Sequence, residues 1–327
     1  MLNRVAPRSR TIVPILVSMA LLGTVLYFVD FGKARDALLR ASPWYILPLF
    51  ALMTLDRVIM AYKWNSLLLV LNVRVPYFAL FRTYSASPLA SIILPAAIGS
   101  DIFRVYSLTK YGAKATDVIS SMIVERVVGF IAMLVPVGLS LVLASIMLRD
   151  QWSRFQSIIW AILILVLATI VVAWAMQGVV KRKIDGLAER FSNLPLVTKI
   201  HNIYEASGEY RKHPRVLAFV FALTVLEQFA PIAGILLLVN ALNIDVALVA
   251  LLIIIPIDIL ATRLPISFDG IGLSEGLYVV LFGLVGVAPT EAVLLSVSGR
   301  AVQILMALPW AIHYVMIRPK ATMAPQS

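Results

Sequence analysis

The stretch RLPISFDGIGLSEG, residues 263–276, lies between two of the most apolar runs of the chain, LVALLIIIPIDILA (248–261) and LYVVLFGLVGV (277–287). An Arg, an Asp, a Glu, a Pro and three Gly residues break an otherwise oily segment. Gly and Pro interrupt helices, and an ionisable group at bilayer depth is costly and usually functional. A second stretch, SIILPAAIGSDIFRVYSL (91–108), has the same character: an apolar run reaches Leu-Pro, then glycine and charge, then turns amphipathic.

The surrounding chain decides what such a break means. Of 327 residues 61% are hydrophobic and 14% charged, and the mean hydropathy of +0.94 lies outside the range of soluble domains. The expected fold is all-α, a polytopic integral membrane protein. Runs near 12–29, 43–63, 117–147, 157–177, 215–240 and 290–317 reach the roughly 18–20 residues needed to cross about 30 Å of hydrocarbon, which predicts about six full spans. The basic start MLNRVAPRSR resembles a signal peptide, but the apolar run after it is too long for one and lacks a small-residue cleavage site, so an uncleaved first span is expected.

The formal charge of +11 reflects topology rather than nucleic-acid binding, because the basic residues fall mostly beside the spans. With the N-terminus inside, nineteen Lys and Arg residues fall in cytoplasmic segments, Lys63, Arg74, Arg82 and Arg104 among them, and five fall outside: Lys33, Arg35, Arg40, Arg149 and Arg154. This orientation requires 76–110 to dip in from the cytoplasm and return there, and 246–288 to do the same from outside. Both are therefore expected to be re-entrant helical hairpins, and both termini cytoplasmic. The basic segment 178–215 between them reads as a cytoplasmic linker whose amphipathic helices lie against anionic lipid.

The two halves carry one pattern. In the first, Asp56 precedes Leu94-Pro95, then come Gly99, Thr116-Asp117 and, ten residues after that Thr, Arg126. In the second, Glu227 precedes Leu264-Pro265, then come Gly270, Gly272, Thr290-Glu291 and Arg300, again ten residues after the Thr. Self-similarity of this kind, with opposite insertion, is the signature of inverted transporter repeats, here 43–147 and 215–317. The whole chain, 1–327, is one membrane domain.

The intramembrane ionisable groups are Asp56, Arg57, Asp101, Arg104, Glu125, Arg126, Glu227, Asp258, Arg263, Asp269, Glu275 and Arg300. Facing lipid, each would cost roughly 2.5–3.5 kcal/mol on insertion scales for Asp, Lys or Arg at a helix centre, so they pair or face inward. One reading is salt bridges that fix packing. The other is a binding site, since a broken helix offers free N–H groups to an anion and Arg offers a fork matched to phosphate. On that reading Arg126, Arg263 and Arg300 would ligate a lipid phosphate, and Asp101, Glu125 and Glu275 would orient them or bind a proton or amine. Asp269 adds polarity at the second break. No nucleophile elbow, Walker loop or dinucleotide fingerprint occurs, no Cys is present, and His201, His213 and His313 lack ligand spacing, so neither enzyme chemistry, cofactor nor metal is expected. The aromatic and Met residues read as packing or interface anchors.

LPAAIGSDIFRVYSL, SSMIVERVVGF (120–130) and RLPISFDGIGLSEG, with Arg300 beyond, resemble the lysylphosphatidylglycerol synthase transmembrane family, a flippase-like domain, over roughly residues 12–317. The resemblance implies pseudo-symmetric halves and, in multidomain relatives, movement of aminoacylated phosphatidylglycerol between leaflets. By position it marks Pro95, Gly99, Asp101 and Arg104, then Glu125 and Arg126, then Pro265, Ser267, Gly270, Gly272 and Glu275. Ser100 departs from the pattern, where the family often has a second Gly. With the chain ending RPKATMAPQS, a stand-alone member without the soluble aminoacyl-transferase domain is expected. The expected partner is a membrane lipid with an anionic or lipid-linked headgroup, in the plasma membrane. The alternative to a flippase-like transporter is a non-transporting subunit that scaffolds a separate lipid-modifying or glycosyl-transfer enzyme.

Overall fold

The computed structural model describes residues 31–93, 99–147, 195–263, 267 and 270–316, and the single positions 19, 23, 160 and 164. Among the described residues the fold is all-α, without a strand: α1 (Phe31–Arg40), α2 (Ile46–Val70), α3 (Tyr77–Ile93), α4 (Gly99–Thr109), α5 (Ala115–Met147), α6 (Pro195–Glu209), α7 (Pro214–Glu227), α8 (Ala230–Ala241), α9 (Leu248–Thr262), α10 (Leu273–Gly283) and α11 (Pro289–Met316). Four segments are long and apolar enough to cross a bilayer: Pro43–Val70, Ala115–Ile146, Pro214–Ala241 and Pro289–Tyr314. They match four of the six expected spans, and the chain is a polytopic membrane protein. The expected spans near 12–29 and 157–177 lie outside the described residues, apart from the single positions.

Between the long helices sit pairs of short ones, α3 with α4 and α9 with α10, each too short to cross alone. Their boundaries have local causes that recur. Helices α2 and α8 both end in L-N-(V/I)-x-V, Leu71–Val75 and Leu242–Val246, with Asn72 and Asn243 in the left-handed region at φ 57° and 54°. In each the N–H two positions into the turn bonds a carbonyl five residues back, Val73 to Leu68 and Ile244 to Val239, both at 3.0 Å. These are Schellman-type stops, where Asn is the commonest substitute for Gly. Gly112 (φ 83°) and Gly286 (φ 87°) terminate α4 and α10 in the same manner, with Ala113 bonded to Leu108 and Val287 to Phe282.

The packing of the two sets also corresponds. α3 lies against α2 and α4, and α9 against α8 and α10. Each leading short helix then crosses to the opposite set: α3 packs along α11, and α9 along α5. The largest buried cluster joins Met133, Val137 and Leu141 of α5 to Leu251, Ile254 and Ile255 of α9, with Phe282 of α10 and Leu295 of α11. A second joins Trp64, Leu68, Leu80, Leu108, Val118 and Met122. Outward-facing Leu55, Val127, Val135, Leu139 and Ile146 are exposed, as lipid-facing residues must be.

Three corrections concern charge. Lys63, Arg82 and Arg104, counted with the cytoplasmic segments, are only 3%, 4% and 8% exposed inside α2, α3 and α4. The cause is that α2 runs on to Val70, beyond the expected end at 63, so Lys63 is an interior residue. Of the linker, α6 and a short 3-10 turn (Tyr210–Lys212) are described; the Tyr210 hydroxyl donates to the Leu67 carbonyl at 3.0 Å and pins that end to α2.

Candidate functional site

The charges gather where the chain resumes after each break. In the first half α4 starts at Gly99 and carries Asp101 in its first turn; in the second α10 starts after Gly272 and carries Glu275 there. A carboxylate in a first turn complements the positive end of the helix dipole. Each then meets an Arg from the long helix that follows. Asp101 Oδ2 pairs with Arg126 Nη2 of α5, and Glu275 Oε1 lies 3.7 Å from Arg300 Nη2 of α11. The register is common to both: 275 − 101 and 300 − 126 both equal 174.

The second pair is the more deeply held. Glu275 Oε2 accepts the Gly272 N–H at 2.6 Å, closing the first turn back on itself, and Gly272 takes φ 80° to allow it. Gly270 (φ 74°) lets the chain pass tightly, since a Cβ there would meet Thr262 Cγ2 at 3.0 Å and Arg300 Nη2 at 4.0 Å. Asp258, buried in α9, lies near Ser274, Glu275 and Arg300. Asp258 was recognised as intramembrane from sequence but not assigned to this cluster. Periodicity within α9 alone cannot reveal a neighbour on α10.

The first half adds a buried clamp. Arg104 Nη2 donates to Glu125 Oε2 at 2.6 Å, and Tyr84 donates its hydroxyl to Glu125 Oε1 at 3.0 Å. The guanidinium lies between two ring faces, 4.0 Å from the Trp64 centroid and 4.4 Å from Tyr84. Trp64 Nε1 is fixed in turn by Ser121 Oγ at 3.0 Å. Here the reading of aromatics as packing or interface anchors fails: Trp64 and Tyr84 enclose a charge, with cation–π attraction strengthened by burial. Four helices, α2, α3, α4 and α5, supply these groups, so no local spacing announces them. Beside the clamp, Lys63 of α2 pairs with Glu227 at the end of α7, a link between halves that sequence did not indicate because Lys63 was read as a loop residue.

The other expected residues are dispersed or lie beyond view. Arg263 caps the end of α9, exposed, and makes no ion pair among the described residues. Ser267 Oγ is buried without a hydrogen-bond partner among them. Pro95, Pro265 and Asp269 lie outside the described residues. Among the described residues no group of three or more His, Cys, Asp or Glu is arranged to hold a metal.

Comparison with known proteins agrees in class. The family model for the lysylphosphatidylglycerol synthase TM region matches residues 11–311. Two relatives from Methanothermobacter thermautotrophicus, both described as UPF0104 membrane proteins, are 23% identical. One aligns over 318 residues, 89% of this chain and 90% of its own length; the other aligns over 315, 89% and 88%. No solved structure matches the chain.

Proposed function

The chain belongs to the lysylphosphatidylglycerol synthase TM region family, and from that premise we propose that it is a flippase-like transporter. It moves an anionic or aminoacylated phospholipid, or a polyprenyl-linked lipid, between leaflets of the plasma membrane, with both termini cytoplasmic and no catalytic step of its own. The observation that carries this reading is the repeated pair, Asp101 with Arg126 and Glu275 with Arg300, at the start of a helix that follows a break.

The chemistry is exchange of one anion for another. In each pair a carboxylate occupies the place beside Arg and near the helix N-terminus that a phosphate would otherwise take. A phosphate entering there releases the carboxylate, which then receives an ammonium group of the headgroup or a proton. Two such places, reached from opposite sides by inverted halves, would expose the headgroup alternately while the acyl chains stay in lipid. Family membership supports the lipid as cargo.

The test is reconstitution in liposomes with headgroup-labelled lipids of several classes. The wild-type chain accelerates leaflet exchange of an anionic or aminoacylated lipid, and the double variant Arg126→Ala, Arg300→Ala slows it at least about tenfold, equivalent to about 1.4 kcal/mol. Equal exchange by both proteins for every lipid class would leave a non-transporting membrane subunit in its place.

A further inference from the structure

Arg57 has no part in either cluster, yet it sits near the midpoint of α2 (46–70), at the depth where a cation is most costly. It lines a small cleft of about 50 Å³, open on one side, between α2, α3 and α11, helices drawn from both halves. Ser85 stands at the midpoint of α3 and Gln303 near the midpoint of α11, and both line the same cleft, as does Thr54 one turn before Arg57. Lining one cleft, the polar groups lie close together.

The one charged group in the lining is the Arg57 cation. Ser85, Thr54 and Gln303 add O–H and N–H groups that can donate to an anion beside it, and no carboxylate is among the described residues of the lining. Ser85 is buried, and its Oγ has no hydrogen-bond partner among the described residues. A buried hydroxyl is ordinarily satisfied. Asp56, 3.4 Å from Arg57, balances the guanidinium charge without lining the cleft itself. Trp310 and Met306 form apolar wall, and beyond the cleft α11 presents exposed Ile304, Leu305 and Leu308. A cation among neutral polar groups inside and an oily border outside suit a ligand that is anionic at one end and aliphatic at the other.

We propose that this cleft binds the phosphate of a membrane phospholipid at mid-bilayer depth, Arg57 holding the phosphate oxygens with Ser85, Thr54 and Gln303, and the acyl chains leaving past Met306 and Trp310. The site rests on the reading of the chain as a lipid-handling protein and not on transport itself.

The chain contains no Cys, so a single Met306→Cys reports on the cleft without background. In detergent, its labelling by a small neutral thiol reagent is slowed about tenfold by phosphatidylglycerol, but neither by diacylglycerol with the same chains nor by inorganic phosphate. Adding Arg57→Gln removes the protection, Arg57→Lys keeps part of it, and Gln303→Leu at the exposed mouth weakens it. Thermal unfolding verifies that each variant is folded. Should Arg57→Gln fail to fold, Gln303→Leu carries the same test. Equal protection by diacylglycerol, or phosphatidylglycerol protection undiminished in the folded variants, overturns the site. Protection by inorganic phosphate alone overturns the lipid as its ligand. The Arg126→Ala, Arg300→Ala background retains protection whatever its leaflet exchange, so loss of transport and loss of this site are separate outcomes.

Discussion

The ion pairs that follow the two breaks share residue type and register and differ in setting. Arg126 is 58% exposed and Asp101 21%, whereas Arg300 is 30% exposed and Glu275 only 3%. Their neighbours differ as well. At the same 174-residue offset, the Arg104 and Glu125 of the first half become Tyr278 and Gly299 in the second. Where the first half buries a charged clamp between aromatic faces, the second packs backbone closely: a Cβ on Gly299 would meet Ile235 Cδ1 at 3.3 Å. One plan is thus held in two ways. The first half ties α2, α3, α4 and α5 together with the buried clamp and leaves the Asp101–Arg126 pair more exposed. The second draws the equivalent pair into the structure and fixes it with a backbone N–H.

The sharpest way to break this comparison is at the clamp. Glu125→Ala leaves the Arg104 guanidinium buried without a counter-charge, and stability is expected to fall by about 3–5 kcal/mol, measured by denaturant unfolding in detergent. A loss no larger than that of a surface pair would mean that the clamp does not hold these helices together. Glu275→Ala comes next. It strips the Gly272 N–H of its acceptor and removes the carboxylate beside Arg300, for an expected loss of about 1–3 kcal/mol. Smallest is Arg126→Ala, whose exposed pair contributes less than about 1 kcal/mol to stability. If Arg126→Ala destabilised as much as Glu275→Ala, the distinction between an open and a held pair would vanish.

What sequence could reveal follows from the range of the interactions. The long helices were legible because length and hydropathy are local properties, and four segments lie where those properties put them. The stops at Asn72 and Asn243 were legible too, as the repeated L-N-(V/I)-x-V, although the pattern of charges drew attention away from them. The residues that follow the breaks could be picked out as charges in apolar surroundings. Their partners could not: Glu125 and Arg126 are adjacent in the chain, yet one turns to Arg104 and the other to Asp101. Lys63, Trp64 and Tyr84 gain their surroundings only when α2, α3, α5 and α7 pack together. Lys63 was hidden further by a helix that continues past the expected boundary.

The central claim is that the two matched sets insert from opposite sides, so that one charged motif serves both faces of the bilayer. Arg74 and Asp245 occupy equivalent places just past the two Asn stops, both exposed and of opposite charge, as a cytoplasmic and an outer turn should be. Single cysteines at these positions in the Cys-free chain, labelled in sealed vesicles of known orientation by a membrane-impermeant reagent, test it directly. The expected result is Arg74→Cys labelled only from the cytoplasmic face and Asp245→Cys only from the outer face. Labelling of both from one face would contradict the inverted arrangement.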